Sequence, residues 1–247
     1  MYWLIKWVLI GPIVRVMTRP VVTGSLPRTG PVIVASNHLA EVDSLVLALV
    51  LARRLTFVAK SEYFTPRGVR GRLYSSIARS TGQIPIDRSG SGAGDVALDA
   101  ARGIVEAGGT WAIYPEGTRS PDGRLYRGRT GAMRVALACP EVAVVPVGII
   151  GTREIDRPTR RGWRRGRVRV VIGEPLDLSR WSGRPPRLAA REATDELMRQ
   201  IQLLTGQQYV DTHPAPARGA RHHDRAPVDG AAPPPPGRPD DTDKVDR

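Results

Sequence analysis

The stretch PVIVASNHLAEVDSLVLALVLARRLTFVAK, residues 31–60, places two short runs rich in β-branched residues on either side of a leucine-rich one. PVIVAS and LTFVAK have the length and composition of strands. DSLVLALVLARR, uninterrupted by glycine or proline, reads as a helix between them. The alternation continues downstream: RGRLYSSIARS as a helix, GQIPID as a strand, GDVALDAARGIVEAGG as a helix with a glycine stop, then strand TWAIYP, helix GAMRVALAC and strand VAVVPVGII. RVRVVIGEPL alternates arginine and valine as a half-exposed strand does, and the amphipathic segment 187–204 closes the series as a helix. Strands and helices taking turns predict an α/β fold: one domain over 21–205, with a central, largely parallel or mixed sheet flanked by helices.

The two ends read differently from this body. MYWLIKWVLIGPIVRVM is apolar but interrupted by Lys6, Gly11-Pro12 and Arg15, short of the roughly 20 uninterrupted apolar residues a spanning helix needs. It also lacks the charged start and small-residue cleavage site of a signal peptide. Trp3, Trp7, Ile10 and Val14 recur at helical spacing, so residues 1–20 are expected to form an amphipathic helix in a membrane interface, or one packed on the domain. From residue 206 the chain turns to Pro, Asp, Arg, Ala and Gly and ends AAPPPPGRPDDTDKVDR; 206–247 is expected to be a disordered tail. His213, His222 and His223 fall within it, where a histidine is solvated more often than it is a ligand.

The chain of 247 residues carries a net charge of +13, and arginine outnumbers lysine 34 to 3. The tail holds six basic and seven acidic residues, so the positive field belongs to the folded body. An anionic partner is implied: nucleic acid, an acidic membrane surface or a phosphorylated small molecule. The single cysteine, Cys139, excludes an intramolecular disulfide or a cysteine-rich metal site.

Four short stretches sit at or interrupt predicted strand ends, where α/β proteins place their sites. They are Asn37-His38-x4-Asp43, GQIPIDR at 82–88, YPEGTRS at 114–120 and VPVG at 145–148. In an unbroken helix, positions five apart point about 140° away from each other. A direct bond between His38 and Asp43 therefore requires His38 in a loop and Asp43 near the first helical turn. Asp43 would then accept from one imidazole nitrogen and leave the other to take a proton from a hydroxyl. The same residues also read as a turn histidine bonded to backbone and an aspartate capping the following helix. Gly117 lets backbone approach a ligand, and Arg119 can grip phosphate with two parallel bonds.

In order and spacing these stretches resemble the glycerolipid acyltransferase family, in particular its bacterial 1-acylglycerol-3-phosphate members, over about residues 20 to 180. The resemblance implies a His38–Asp43 dyad as general base, with Asn37, Arg88, Glu116, Gly117, Thr118 and Arg119 at the substrate. Glu41 falls in a variable position and is given no role. Pro85 stands where the family commonly has an aromatic residue. Lys60, Pro146 and Arg127, the last standing where lysine is frequent, follow the pattern as further contacts. The implied reaction moves a fatty acyl group from acyl-CoA or acyl-carrier protein to a lysophospholipid acceptor, with no metal or redox cofactor, on the cytoplasmic face of the cell membrane. Another lysolipid as acceptor, or a phospholipid donor, is compatible with the same motifs.

Rival patterns are weaker. GSGAGD at 90–95 puts Asp95 where a dinucleotide fingerprint has its third glycine. No G-x-S-x-G elbow is present, against an ordinary serine hydrolase. The arginines of REIDRPTRRGWRRGRVR around Trp163 are the best case for nucleic acid, but they belong to no recognised nucleic-acid motif, and an anionic lipid surface explains them equally well.

Overall fold

The computed structural model describes residues 6, 8, 11–60, 84–86, 93–156 and 163–214. Its elements are α1 (Gly11–Thr18), β1 (Val21–Thr23), β2 (Val32–Ser36), α2 (Val42–Val50), β3 (Leu55–Lys60), β4 (Ile84–Ile86), α3 (Ala93–Glu106) and β5 (Thr110–Ile113). They continue with β6 (Leu125–Tyr126), α4 (Gly131–Ala138), β7 (Ala143–Ile150), α5 (Thr152–Ile155), β8 (Arg169–Ile172), a 3₁₀ turn (Leu178–Trp181), α6 (Pro186–Thr205) and β9 (Tyr209–Val210).

Seven strands form one sheet in the order β1-β8-β7-β2-β5-β3-β4. All neighbours are parallel except β7 and β8, so the sheet is mixed. β2 lies near its centre and is buried along its whole length, which is why VIVAS is continuously apolar up to its last residue. Val32 and Val34 join the layer that includes α2 and α1, while Ile33 and Ala35 join the opposite layer of α3, α4 and α6. Period-two alternation thus feeds two cores from one strand. A second, two-stranded parallel sheet pairs β6 with β9.

Several boundaries move. The helix read through Arg54 stops at Val50, where Leu51 turns extended (ψ 143°). Its terminal carbonyls are taken from outside: Lys6 Nζ donates to the Leu51 carbonyl at 2.5 Å and Arg15 to that of Leu49 at 3.2 Å. Cations at a helix C-terminus also complement its dipole. These contacts, with Val14 in the core, seat the start of the chain on the domain. Of the expected stripe, Val14 packs on the domain, the second of the two expected placements; among the described residues of this segment Val8, Ile13 and Val16 are exposed. Trp3, Trp7 and Ile10 lie outside the described residues, as do Arg88 and the RGRLYSSIARS helix. Among the described residues no helix is long and apolar enough to cross a membrane.

β7 runs through Pro146 to Ile150, as the run VAVVPVGII predicts. A proline is tolerated there because the antiparallel ladder with β8 begins only at Val147, and Pro146 serves it through its carbonyl, which accepts from Gly173 N at 2.9 Å. The tail boundary at 206 is also displaced. Gly206 (φ 69°) ends α6 in a left-handed turn and sends the chain back across the domain, where Tyr209–Val210 pair with Leu125–Tyr126 and Pro214 is buried. The part of the tail from 215 onward lies outside the described residues.

Candidate active site

β2 and β5 are parallel neighbours with Ala35 opposite Ile113, so the segments leaving their C-terminal ends start side by side. One carries His38, the other Tyr114 to Ser120. The His38 ring stacks on Tyr114, centroids 3.8 Å apart and planes within 10°. The Tyr114 hydroxyl shares a 2.9 Å hydrogen bond with Ser44 Oγ, and burial, reinforced by the Asp43 charge, holds the phenol well above its ordinary pKa. It stays neutral, serving as a flat wall that limits the imidazole's rotation.

The break required between His38 and Asp43 is present: His38 lies in the loop, α2 begins at Val42, and His38 Nδ1 is 2.8 Å from Asp43 Oδ2. The same oxygen accepts from Leu39 N (2.6 Å) and Ala40 N (2.9 Å). Asp43 is fully buried, and its Oδ1 has no hydrogen-bond partner among the described residues. An ionised carboxylate can only accept, so Nδ1 is the nitrogen that donates to Asp43, and in a neutral imidazole so bonded the lone pair is on Nε2. The capping alternative is settled by a different residue. Asp156, just past α5, accepts from Val42 N at 3.2 Å and serves the start of α2, which frees Asp43 to turn back into the loop.

The remaining polar groups of this loop are also held. Asn37 is buried; its Oδ1 accepts from Ile149 N (2.8 Å) and its Nδ2 donates to the Ile149 carbonyl (2.9 Å) and to Gln207 Oε1 (2.8 Å). A side-chain amide thereby extends the β2–β7 pairing one step beyond Ser36 opposite Val147. Expected at the substrate, Asn37 is a lock on the sheet edge, its amide consumed by protein. The His38 carbonyl accepts from Ser120 N at 2.8 Å, and His38 N donates to Glu116 Oε1 at 3.1 Å.

Glu116 was likewise expected at the substrate, yet it is buried, and its second oxygen accepts from Tyr126 N at 3.0 Å. It clamps the histidine loop to β6. Burial raises its carboxyl from 4.5 to about 7, against the lowering effect of the two backbone donors. Gly117 (φ 78°) turns the chain immediately afterwards, in a region that favours glycine. A Cβ there would lie 2.7 Å from Arg129 Nε, so the Arg129 guanidinium lies against this turn. Thr118 is half-buried in it, and Arg119 reaches solvent, where its Nη1 donates to Glu41 Oε1 at 2.9 Å.

The structure therefore gathers His38, Asp43, Gly117, Thr118 and Arg119 around one loop pair, with the Asn37 and Glu116 side chains buried and bonded within the protein. Arg127, expected as a ligand contact, faces Asp211 at 3.6 Å; the cation of YRGRTGA beside the Gly117 turn is Arg129. Lys60 ends β3, on the far side of β5 from β2. Tyr114, Arg129, Asp156 and Gln207 were not anticipated. A signal existed for the first two, an aromatic immediately before PEGTR and a second arginine two residues after Arg127. Among the described residues no group of His, Cys, Asp or Glu is arranged to hold a metal ion.

Known proteins are similar to this chain in sequence and fold. The Acyltransferase family model matches residues 19–150. The chain is 32% identical over 151 residues to the chloroplastic 1-acyl-sn-glycerol-3-phosphate acyltransferase LPAT1 of Arabidopsis thaliana, covering 61% of this chain and 40% of that protein. It is 24% identical over 182 residues to the 1-acyl-sn-glycerol-3-phosphate acyltransferase of Bacillus subtilis, 73% of this chain and 84% of that one. The crystal structure of the 1-acyl-sn-glycerophosphate acyltransferase PlsC from Thermotoga maritima superposes with a TM-score of 0.63 at 27% identity, over 82% and 79% of the two chains. The chain spans less than half the length of the chloroplastic relatives from Arabidopsis thaliana and Brassica napus. With the matched segment running from the end of α1 to the end of β7 and enclosing both loops, the chain belongs to the Acyltransferase family.

Proposed function

We propose that the protein transfers a fatty acyl group from an acyl thioester, acyl-CoA or acyl-carrier protein, to the free hydroxyl of 1-acylglycerol 3-phosphate, giving phosphatidic acid. The observation that carries this reading is the His38 Nδ1–Asp43 Oδ2 bond at 2.8 Å, which leaves Nε2 as a base. In the reaction the acceptor oxygen bonds to the thioester carbonyl carbon while its proton passes to His38 Nε2. The carbon–sulfur bond then breaks, and the departing thiolate takes that proton. Asp43 fixes the tautomer and stabilises the imidazolium formed between the two steps. No group of the protein becomes acylated.

Arg119 and Arg129, flanking the Gly117–Thr118 turn, supply charge for the acceptor's phosphate, and by resemblance Arg88 adds to them. Holding the phosphate end converts a two-substrate encounter into an oriented one. The exposed apolar side chains Val8, Ile13, Val16, Val21 and Val22, on a chain of net charge +13, support docking to an anionic membrane on its cytoplasmic face.

Purified protein incubated with labelled acyl-CoA or acyl-carrier protein and a panel of lysolipids should form phosphatidic acid, and His38→Ala should abolish it. A labelled product from a different lysolipid alone would reassign the acceptor; labelling with His38→Ala unimpaired would remove the proposed base. Binding to duplex DNA with no liposome binding would instead favour a nucleic-acid partner.

A further inference from the structure

We infer that the C-terminal strap, residues 206–214, is part of the catalytic apparatus, and that Gln207 is a positioning residue for His38. The inference rests on the reading of His38 as the base. The strap lies beyond the segment that the family model matches and was read from composition as the start of a tail.

Two chains of contact lead from the strap to the histidine. In the first, the Gln207 side-chain amide bridges two loops. Its Oε1 accepts from Asn37 Nδ2 at 2.8 Å, and its Nε2 donates to the Gly123 carbonyl at 2.7 Å. Asn37 is the residue before His38, and Gly123 follows the 114–120 loop. In the second, Leu125 N donates to the Gln208 carbonyl (3.0 Å) and Arg127 N to those of Val210 and Thr212 (3.1 Å each), holding β6 in place. From β6, Tyr126 N donates to Glu116 Oε2 while His38 N donates to Oε1.

The strap is itself well anchored. Gly206 N donates to the Gln202 carbonyl at 2.8 Å, Gln202 Nε2 donates to the Gln207 carbonyl at 3.2 Å, and His213 Nδ1 meets the Arg127 carbonyl at 3.0 Å. Gln207 thus stands on a fixed backbone and contacts both loops of the site without approaching the imidazole. A glutamine suits the bridge because one end must accept from an amide and the other must donate to a carbonyl. Loss of the bridge leaves Asn37 its bonds to Ile149 but releases one restraint on the residue that sets the His38 backbone. Small displacements of a base relative to its substrate reduce turnover strongly without changing ground-state binding.

The test uses the full chain with Gln207→Met, which keeps the side-chain length and removes both hydrogen bonds, and Gln207→Glu, which keeps the acceptor for Asn37 but loses the donor to Gly123. Steady-state kinetics with lysophosphatidic acid and acyl-CoA should show kcat reduced on the order of tenfold in Gln207→Met, with both KM values within about twofold of wild type. Gln207→Glu should also lower kcat, because its second carboxylate oxygen is repelled by the Gly123 carbonyl, and thermal denaturation should show both variants folded at the assay temperature. Wild-type kcat in both variants would overturn the inference, as would a loss confined to KM or one matching the fraction of unfolded protein. Should Gln207→Met not fold, Gln207→Glu decides by the same criteria. His38→Ala in the same assay separates the two levels: an active His38→Ala enzyme removes the base and this role with it, whereas an inactive one beside unimpaired Gln207 variants removes only the role of Gln207.

Discussion

Glu116 and Arg119 stand three residues apart in one motif and meet opposite environments. Glu116 is 0% exposed with both oxygens occupied by backbone donors, whereas the Arg119 side chain is 36% exposed and, among the described residues, pairs with a surface carboxylate. The same contrast separates the two loops they serve. From Asn37 to Asp43 nearly every polar group is held by protein: Ile149 and Gln207 on Asn37, Glu116 and Ser120 on His38, Asp43 on its own loop, Asp156 on Val42. From Gly117 to Arg119 the chain turns outward and leaves its charge accessible. In the proposed reaction, a loop that moves a proton needs fixed geometry before substrate arrives, and a loop that binds an anion needs unfilled donors. Substitutions in the first loop should therefore act on kcat and those in the second on the acceptor KM.

The largest effect is expected at Asp43. Asp43→Asn can keep an oxygen toward the three donors that converge on Oδ2, but it places a buried NH2 donor at the Oδ1 position and, being neutral, no longer stabilises an imidazolium. Initial rates should fall on the order of a thousandfold, as for loss of general-base catalysis, while circular dichroism remains that of a folded protein. Retention of more than a tenth of the activity would remove Asp43 from the proton path.

Glu116→Gln should lower kcat by about ten- to a hundredfold with the acceptor KM nearly unchanged, since its amide nitrogen must face His38 N or Tyr126 N, leaving a buried donor unpaired. A large rise in acceptor KM instead would return Glu116 to the phosphate site. Its raised carboxyl also predicts a pH dependence of stability. Between the ordinary 4.5 and about 7 the folded state holds the proton and the unfolded chain releases it, so unfolding free energy falls as pH rises through this window. At 1.36 kcal/mol per pK unit the change is about 3 kcal/mol. Urea unfolding at pH 5 and pH 8 should reveal that slope in the wild type and a flatter one in Glu116→Gln.

The contrast between the loops also explains what could be read from the residues alone. Strand and helix order was legible because each element carries its own periodicity and because β2 had to be apolar on both faces. The His38–Asp43 geometry was legible because a five-residue spacing excludes a continuous helix. The burial of Glu116 and Asn37 was not legible, because a motif identifies residues that matter and not the direction in which they face: a buried clamp and a ligand contact leave the same trace. Asp156 and Gln207 contact the loop from 114 and 170 residues away, and no local pattern encodes such a contact. The strap at 206–214 was hidden by its composition, since two short β residues and a glycine turn do not stand out beside a proline-rich run.

In the open loop, Arg119→Ala should raise the acceptor KM about ten- to a hundredfold, the loss of a charge-assisted bond to phosphate, and leave the thioester KM in place. Arg129→Ala should act in the same direction through the other side of the Gly117 turn. A change confined to the thioester KM in either variant would move the phosphate away from this turn.

The smallest effect tests the contrast most finely. Glu41 has no part in the proposed chemistry, yet its carboxylate accepts from Arg119 Nη1 at 2.9 Å. An arriving phosphate must share or displace it. The pair is largely solvated, with Glu41 71% exposed, so its grip is weak and screened by salt. Glu41→Gln should therefore lower the acceptor KM by no more than about fivefold at low ionic strength, leave kcat unchanged, and converge on the wild type as salt is added. A fall in kcat would show that Glu41, at the N-cap of α2, instead supports the rigid loop, and would place it on the Glu116 side of the comparison.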